Sequence, residues 1–181
     1  MKQGLLVIDV QNDYFAKGKM ELVQPEAALK KINQLEIYFS KHNLPIIYIQ
    51  HINHKKSAAF FEANTAGAAL HSDLKNDPSS IIIEKHFPNS FYRTNLETEL
   101  HKLGVEQLVI CGMMTHMCVD STTRASTELQ FHPLLISDAT ATKDLTINKK
   151  NIPAKDVQNA FLASLTTFAT IQKTVDFVSK D

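Results

Sequence analysis

Short, partly β-branched apolar runs alternate along the chain with stretches in which apolar residues recur every three or four positions. The first pattern is that of strands buried on both faces, the second that of helices laid over them. Gly4–Val10, Leu44–Gln50, Ser80–Lys85, Leu108–Cys111 and Phe131–Asp138 read as five strands, and Ala169–Val175 can supply a last one. Pro25 fits the first turn of a helix with Ala28, Ile32, Leu35 and Phe39 on one face. Leu96, Leu100 and Leu103 line a second helix, which Gly104 ends; Thr122, Ala125 and Leu129 mark a third. A fourth starts at Pro153 and carries Val157, Phe161, Leu165 and Phe168. His51–Asp77 is a long connection, and connections of that length in compact domains are functional or contain short helices of their own. The alternation predicts one α/β domain over 1–181: a three-layer αβα sandwich with a mostly parallel central sheet and right-handed crossovers.

Composition and charge narrow the classes of function. The 181 residues suit a single domain with a full core. Lysine plus arginine and aspartate plus glutamate both number 19, so no net field exists to gather a nucleic acid or an anionic membrane. No apolar run approaches the roughly 20 residues needed to span a bilayer, and the first strand follows without a leader pattern, so a cytoplasmic protein is expected. The two cysteines, Cys111 and Cys118, form neither a redox pair nor a zinc knuckle. With 5 glycines and no phosphate-loop signature, a nucleotide-binding protein is a weak alternative.

Three groups interrupt this apolar pattern where strands should end. Asp9 closes the first strand, and a carboxylate there costs free energy unless paired, so it is either a cap for the next loop or a functional group. Lys85 arrives at the end of the third strand, where a solvated lysine is the ordinary alternative. Gly112 is expected to stop the central strand and Thr115 to cap the next helix, which would put Cys118 at its third position. There the macrodipole favours thiolate and free N–H groups can hold an oxyanion. An ordinary buried thiol is the competing account of Cys118. In parallel sheets ligands sit at the carboxyl ends of strands near a topological switch point, so one rule brings all three groups to one edge.

The segments Leu6-Val-Ile-Asp-Val-Gln-Asn-Asp13, Glu84-Lys85 followed by Ser90-Phe-Tyr-Arg-Thr94, and Gly112-Met-Met-Thr-His-Met-Cys-Val119 with Ser137-Asp-Ala139 resemble the isochorismatase-like cysteine hydrolases. That family includes nicotinamidases and carbamoyl-amide hydrolases, and the likeness covers nearly the whole chain. The resemblance implies a catalytic triad of Asp9, Lys85 and Cys118, and a cis Met113–Met114 bond that turns the Met114 N–H toward an oxyanion shared with the Cys118 N–H. It implies hydrolysis of a small-molecule carboxamide through a thioester, with Asp9 as proton shuttle. Members that cleave the isochorismate vinyl ether lack the cysteine, so an amidase is favoured.

Metal-dependent nicotinamidases carry an Asp-x-His pair after the second strand, whereas this chain reads Gln50-His-Ile-Asn-His54. No metal and no cofactor is therefore expected. His51 and His54 are read as polar pocket or loop residues, and Phe15, His51, Phe91 and Met114 as pocket-lining positions. The expected partner is a small amide rather than nucleic acid or membrane, with a homodimer or higher assembly implied by the resemblance. A nicotinamidase, or a non-catalytic protein built on the same fold, is the alternative.

Overall fold

The computed structural model describes residues 1–179. Six parallel strands form one sheet in the order β3-β2-β1-β4-β5-β8, from β1 (Gln3–Ile8), β2 (Ile46–His51), β3 (Ile81–Lys85), β4 (Gln107–Met113), β5 (Leu134–Ala141) and β8 (Thr170–Gln172). The chain builds outward from β1 to β3, then returns past β1 to lay down β4 on its other side. The switch point therefore falls between β1 and β4, the position at which sheets of this kind bind ligands. Among the described residues, no helix is long and apolar enough to cross a membrane.

Period-2 alternation along β1 feeds two separate cores. Leu5 and Val7 face one side with Ala28, Leu29, Ile32, Leu35 and Phe39 of α1 (Pro25–Lys41) and Phe177 of α5 (Thr174–Val178). Leu6 and Ile8 face the other, with Leu96 and Leu100 of α2 (Leu96–Lys102), Val119 ahead of α3 (Asp120–Glu128) and Leu165 of α4 (Ala154–Leu165). A sheet covered on both faces needs apolar residues at nearly every strand position, which is why these strands read as continuous runs.

Several boundaries differ from the sequence expectation. The first strand ends at Ile8 rather than Val10, because Asp9 turns the chain with φ of 50°. Gly112 does not stop β4. It sits inside the strand at φ of 122°, and a Cβ on it would collide with the Ile8 backbone, its carbonyl oxygen first. β5 starts three residues later and runs three residues further than expected, since Gln130 and His132 take positive φ and delay it. β8 stops at Gln172 because Asp138 Oδ1 accepts from the Thr174 N–H (2.7 Å) and hydroxyl (2.8 Å), fixing the start of α5. A hairpin of β6 (Leu145–Ile147) and β7 (Lys150–Ile152) was not legible, since its turn residues Asn148 and Lys149, both at positive φ, include no glycine.

Gly112→Ala should cost on the order of 2–4 kcal/mol, because both the φ and the contact with β1 forbid a side chain. Gly104→Ala, at φ of 67° with only the Lys2 Cδ within reach at 3.9 Å, should cost about 1 kcal/mol. Urea unfolding monitored by circular dichroism compares the two, and equal losses would refute the packing argument.

Candidate active site

The ends of β1, β2, β3 and β4 lie along one edge of the sheet, so residues distant in sequence meet there. β1 delivers Asp9, whose N–H donates to the Ile49 carbonyl at 3.1 Å. β2 ends in His51 and β3 in Lys85, paired in register. β4 leads through the cis Met113–Met114 bond into a wide five-residue turn, Thr115–Val119, that carries Cys118 into α3. The Met114 carbonyl accepts from the N–H groups of Met117 (3.0 Å) and Val119 (3.2 Å), the neighbours on either side of Cys118. Thr115 is not a cap: its hydroxyl donates to the Ala141 carbonyl (3.1 Å) and to Gln158 Oε1 (2.7 Å), so it fastens the turn to β5 and α4.

Lys85 Nζ lies 2.8 Å from Asp9 Oδ2, with both side chains fully buried. The ammonium also donates to the carbonyls of Phe87 (3.1 Å) and Pro88 (3.3 Å) and stands 3.3 Å from His51 Nδ1. Those carbonyls belong to a loop tied to α3, where the Ser90 N–H donates to Thr122 Oγ1 (3.0 Å) and the Thr122 hydroxyl to Ser90 Oγ (2.9 Å). Asp9 Oδ2 is engaged by the Lys85 ammonium, and no backbone N–H is directed at either Asp9 oxygen, so the carboxylate keeps acceptor capacity. Cys118 Sγ, the Asp9 carboxylate and a His51 ring nitrogen all lie within 4.8 Å of one another.

The electrostatics differ from the expectation for a thiol at a helix start beside a cation. Burial first, and then the Asp9 carboxylate, push the Cys118 thiol well up, and Lys85 offsets only part of this. The resting group is a neutral thiol facing a carboxylate. Burial alone would lower Lys85, but Asp9 and Cys118 together hold its pKa above the ordinary lysine value. Burial lowers His51 to about 4, with Lys85 and His86 adding to it against the pull of Asp9, so its imidazole is neutral at neutral pH. Asp9, His51 and Cys118 form a donor set a metal could use, but the Lys85 ammonium already sits against two of its members.

Of the other residues singled out in the sequence, Met114 is buried beside the turn, and His51 stands next to Asp9 and Lys85. Phe15 packs against His71, the rings tilted and their centres 4.1 Å apart. Phe91 stacks on Phe131 at 5.8 Å and packs with the α2 side of the core. Sequence reasoning passed over the residues that brace the edge. Gln11 is fully buried and clasps β2, donating to the carbonyls of His51 (2.9 Å) and Ala68 (2.7 Å) while accepting from the His51 N–H (2.8 Å). Asp13 accepts from the N–H groups of Phe61 (2.6 Å) and Lys19 (3.1 Å), which draws the long connection inward. Phe60 and Phe61 pack beside His51 and Tyr14. A buried amide or carboxylate within two to four residues of Asp9 was the available signal.

Comparison with known proteins agrees with the fold. The isochorismatase domain model matches residues 3–176. The chain belongs to the isochorismatase family. The isochorismatase family protein YddQ of Bacillus subtilis is 41% identical over 179 residues, 98% of this chain and 99% of the relative. A crystal structure named for an isochorismatase hydrolase, from Oleispira antarctica, superposes with a TM-score of 0.95 at 34% identity, covering 98% of this chain and 96% of that one. Family relatives include hydrolases such as streptothricin hydrolase of Streptomyces noursei, 29% identical over 79% of this chain and 51% of its own length.

Because Asp9 holds the proton on Cys118, Asp9→Asn should lower the thiol pKa and speed its iodoacetamide labelling at neutral pH several-fold, while Lys85→Met should slow it. Cys111, fully buried and donating to the Leu6 carbonyl at 3.6 Å, should stay unlabelled in the native protein. Peptide mapping over time checks both, and slower labelling of Cys118 in Asp9→Asn would overturn the electrostatic assignment.

Proposed function

We propose that this protein is a cysteine hydrolase that cleaves the C–N bond of a small-molecule carboxamide through a thioester on Cys118. The observation that carries the reading is the buried contact of Lys85 with Asp9, 2.8 Å, with the Cys118 thiol against the same carboxylate. The resting thiol is neutral, so nucleophile and proton acceptor must act in one step. Asp9 takes the proton from Sγ as sulfur attacks the amide carbon. The carbonyl oxygen gains negative charge, which the backbone N–H groups of Met114 and Cys118 receive. Asp9 then gives its proton to the departing nitrogen, releasing ammonia or an amine and leaving the acyl group on sulfur. Water attacks the thioester with Asp9 as base, and the returning proton restores the thiol.

Lys85 stays paired with the Asp9 carboxylate and offsets the charge that builds on sulfur. His51, neutral and beside the carboxylate, suits contact with a polar substrate group. Relatives named nicotinamidase and ureidoacrylate amidohydrolase support an amide substrate of small-molecule size. A nicotinamidase using metal is less well supported. The chain reads Gln50-His-Ile-Asn-His54 where such relatives carry Asp-x-His, and Asn53 Oδ1 accepts from the Lys55 N–H at 3.0 Å within its own loop.

Ammonia or amine release across a panel of small amides tests the reading. On any amide turned over, Asp9→Asn, Lys85→Ala and Cys118→Ala should each lower kcat by about 1000-fold or more, and combining them should add little, because the three act as a unit. Mass spectrometry of a slow substrate should find the acyl group on Cys118. Near-normal turnover in Lys85→Ala, or no turnover across the panel, would favour a non-catalytic protein on this fold.

Hydrolysis should also survive exhaustive chelation, since a thiol with a base and backbone N–H groups needs no Lewis acid. Loss of activity on chelation with recovery on stoichiometric metal would make nicotinamide the first substrate to test.

A further inference from the structure

Directly behind Lys85, on the solvent side of the sheet edge, a second group of side chains converges. The pleat of β3 sends Ile83 and Lys85 inward and Glu84 outward, and His86, one residue past the strand, continues on the outward side. The chain leaving β2 brings His54 to the same place. Its path is fixed by two backbone bonds, from the Ile52 N–H to the Lys85 carbonyl (2.9 Å) and from the Asn53 N–H to the Phe61 carbonyl (2.8 Å). Glu84 Oε1 lies 3.4 Å from His54 Nε2 and 3.5 Å from His86 Nε2, and the three atoms all fall within 4.8 Å of one another.

Two features separate this cluster from a chance surface grouping. His86 Nδ1 is 2.9 Å from the Ile52 carbonyl, and a carbonyl only accepts, so Nδ1 carries the proton. With Nδ1 engaged by the backbone, Nε2 is the ring nitrogen left facing Glu84 Oε1 and His54 Nε2, so all three donor atoms converge on one point. A backbone carbonyl on the far ring nitrogen is also how metal-binding histidines are oriented. The second feature is spacing. Tetrahedral ligands at about 2.0–2.1 Å from zinc stand about 3.3–3.4 Å apart, close to the two observed separations.

We propose that His54, Glu84 and His86 form a surface site for a divalent transition-metal ion of the zinc type, held by two imidazoles and one carboxylate, with water at the remaining position. The ion would lie outside the buried groups and join the β2 exit to the edge strand on both sides of Lys85. It would brace that edge and take no part in amide cleavage.

Zinc binding to chelator-stripped Cys118→Ala protein, in which the buried thiol cannot compete, tests the site by equilibrium dialysis. One zinc per chain should bind saturably in the micromolar range. His54→Ala, Glu84→Gln and His86→Ala should each weaken it by about tenfold or more, the triple variant should abolish it, and His132→Ala should leave it unchanged. Cobalt in place of zinc should give the intense visible absorption of a four-coordinate site, lost in the triple variant, whose fold circular dichroism verifies. The proposal fails if the Cys118→Ala protein shows no saturable zinc, or if the triple variant binds it equally well.

Discussion

The ion pair between Lys85 and Asp9 is the contact on which the rest of the sheet edge depends. Two charges taken fully out of water lose hydration worth several kcal/mol each, and their attraction at 2.8 Å recovers this only when further polar groups surround them. The carbonyls of Phe87 and Pro88 supply those groups for the ammonium. Holding these carbonyls in place requires the Ser90–Thr122 hydrogen bonds to α3, so the loop after β3 and the helix after Cys118 are fixed to each other through the lysine. A buried pair of this kind is weak evidence of stability, since apolar residues would pack more cheaply there.

The same burial sets the order of proton affinities. A thiol beside a helix start and a cation would ionise readily in water. Here desolvation and the Asp9 charge outweigh both influences and keep the proton on sulfur. A carboxylate paired with the Lys85 ammonium but with no backbone N–H directed at it sits next to that proton. A carboxylate clasped by several N–H groups would be a poor base, because each bond would stabilise its charged form. Asp13, four residues along, shows the contrast: its oxygens are occupied by the N–H groups of Phe61 and Lys19, and it serves as a brace.

The end of β3 also sorts its polar side chains to opposite faces. Lys85 points into the core, while Glu84 and His86 point to solvent, and the alternation of the pleat keeps them apart over three consecutive residues. Gln11 and the two backbone bonds at Ile52 and Asn53 tie β2 to its surroundings at that level, so both faces share one rigid frame.

The sequence by itself determined the layered α/β architecture, because strands buried on both faces and amphipathic helices leave different periodicities. It also marked Asp9, Lys85 and Cys118, because charged or nucleophilic groups at the ends of apolar runs stand out against the pattern. Asn148 and Lys149 hid a hairpin, and the passage of β4 through Gly112 was misread, because both depend on backbone angles that residue identity only weakly dictates. The protonated state of Cys118 could not be read in sequence either, since it depends on how far water is excluded and how near Asp9 lies. Nor could the meeting of His54 with Glu84 and His86, thirty residues away, which exists only because β2 and β3 pair in one register. Local pattern fixes which face a residue takes along its own element. Distances between elements, and the charge states that follow from them, are set by tertiary packing alone.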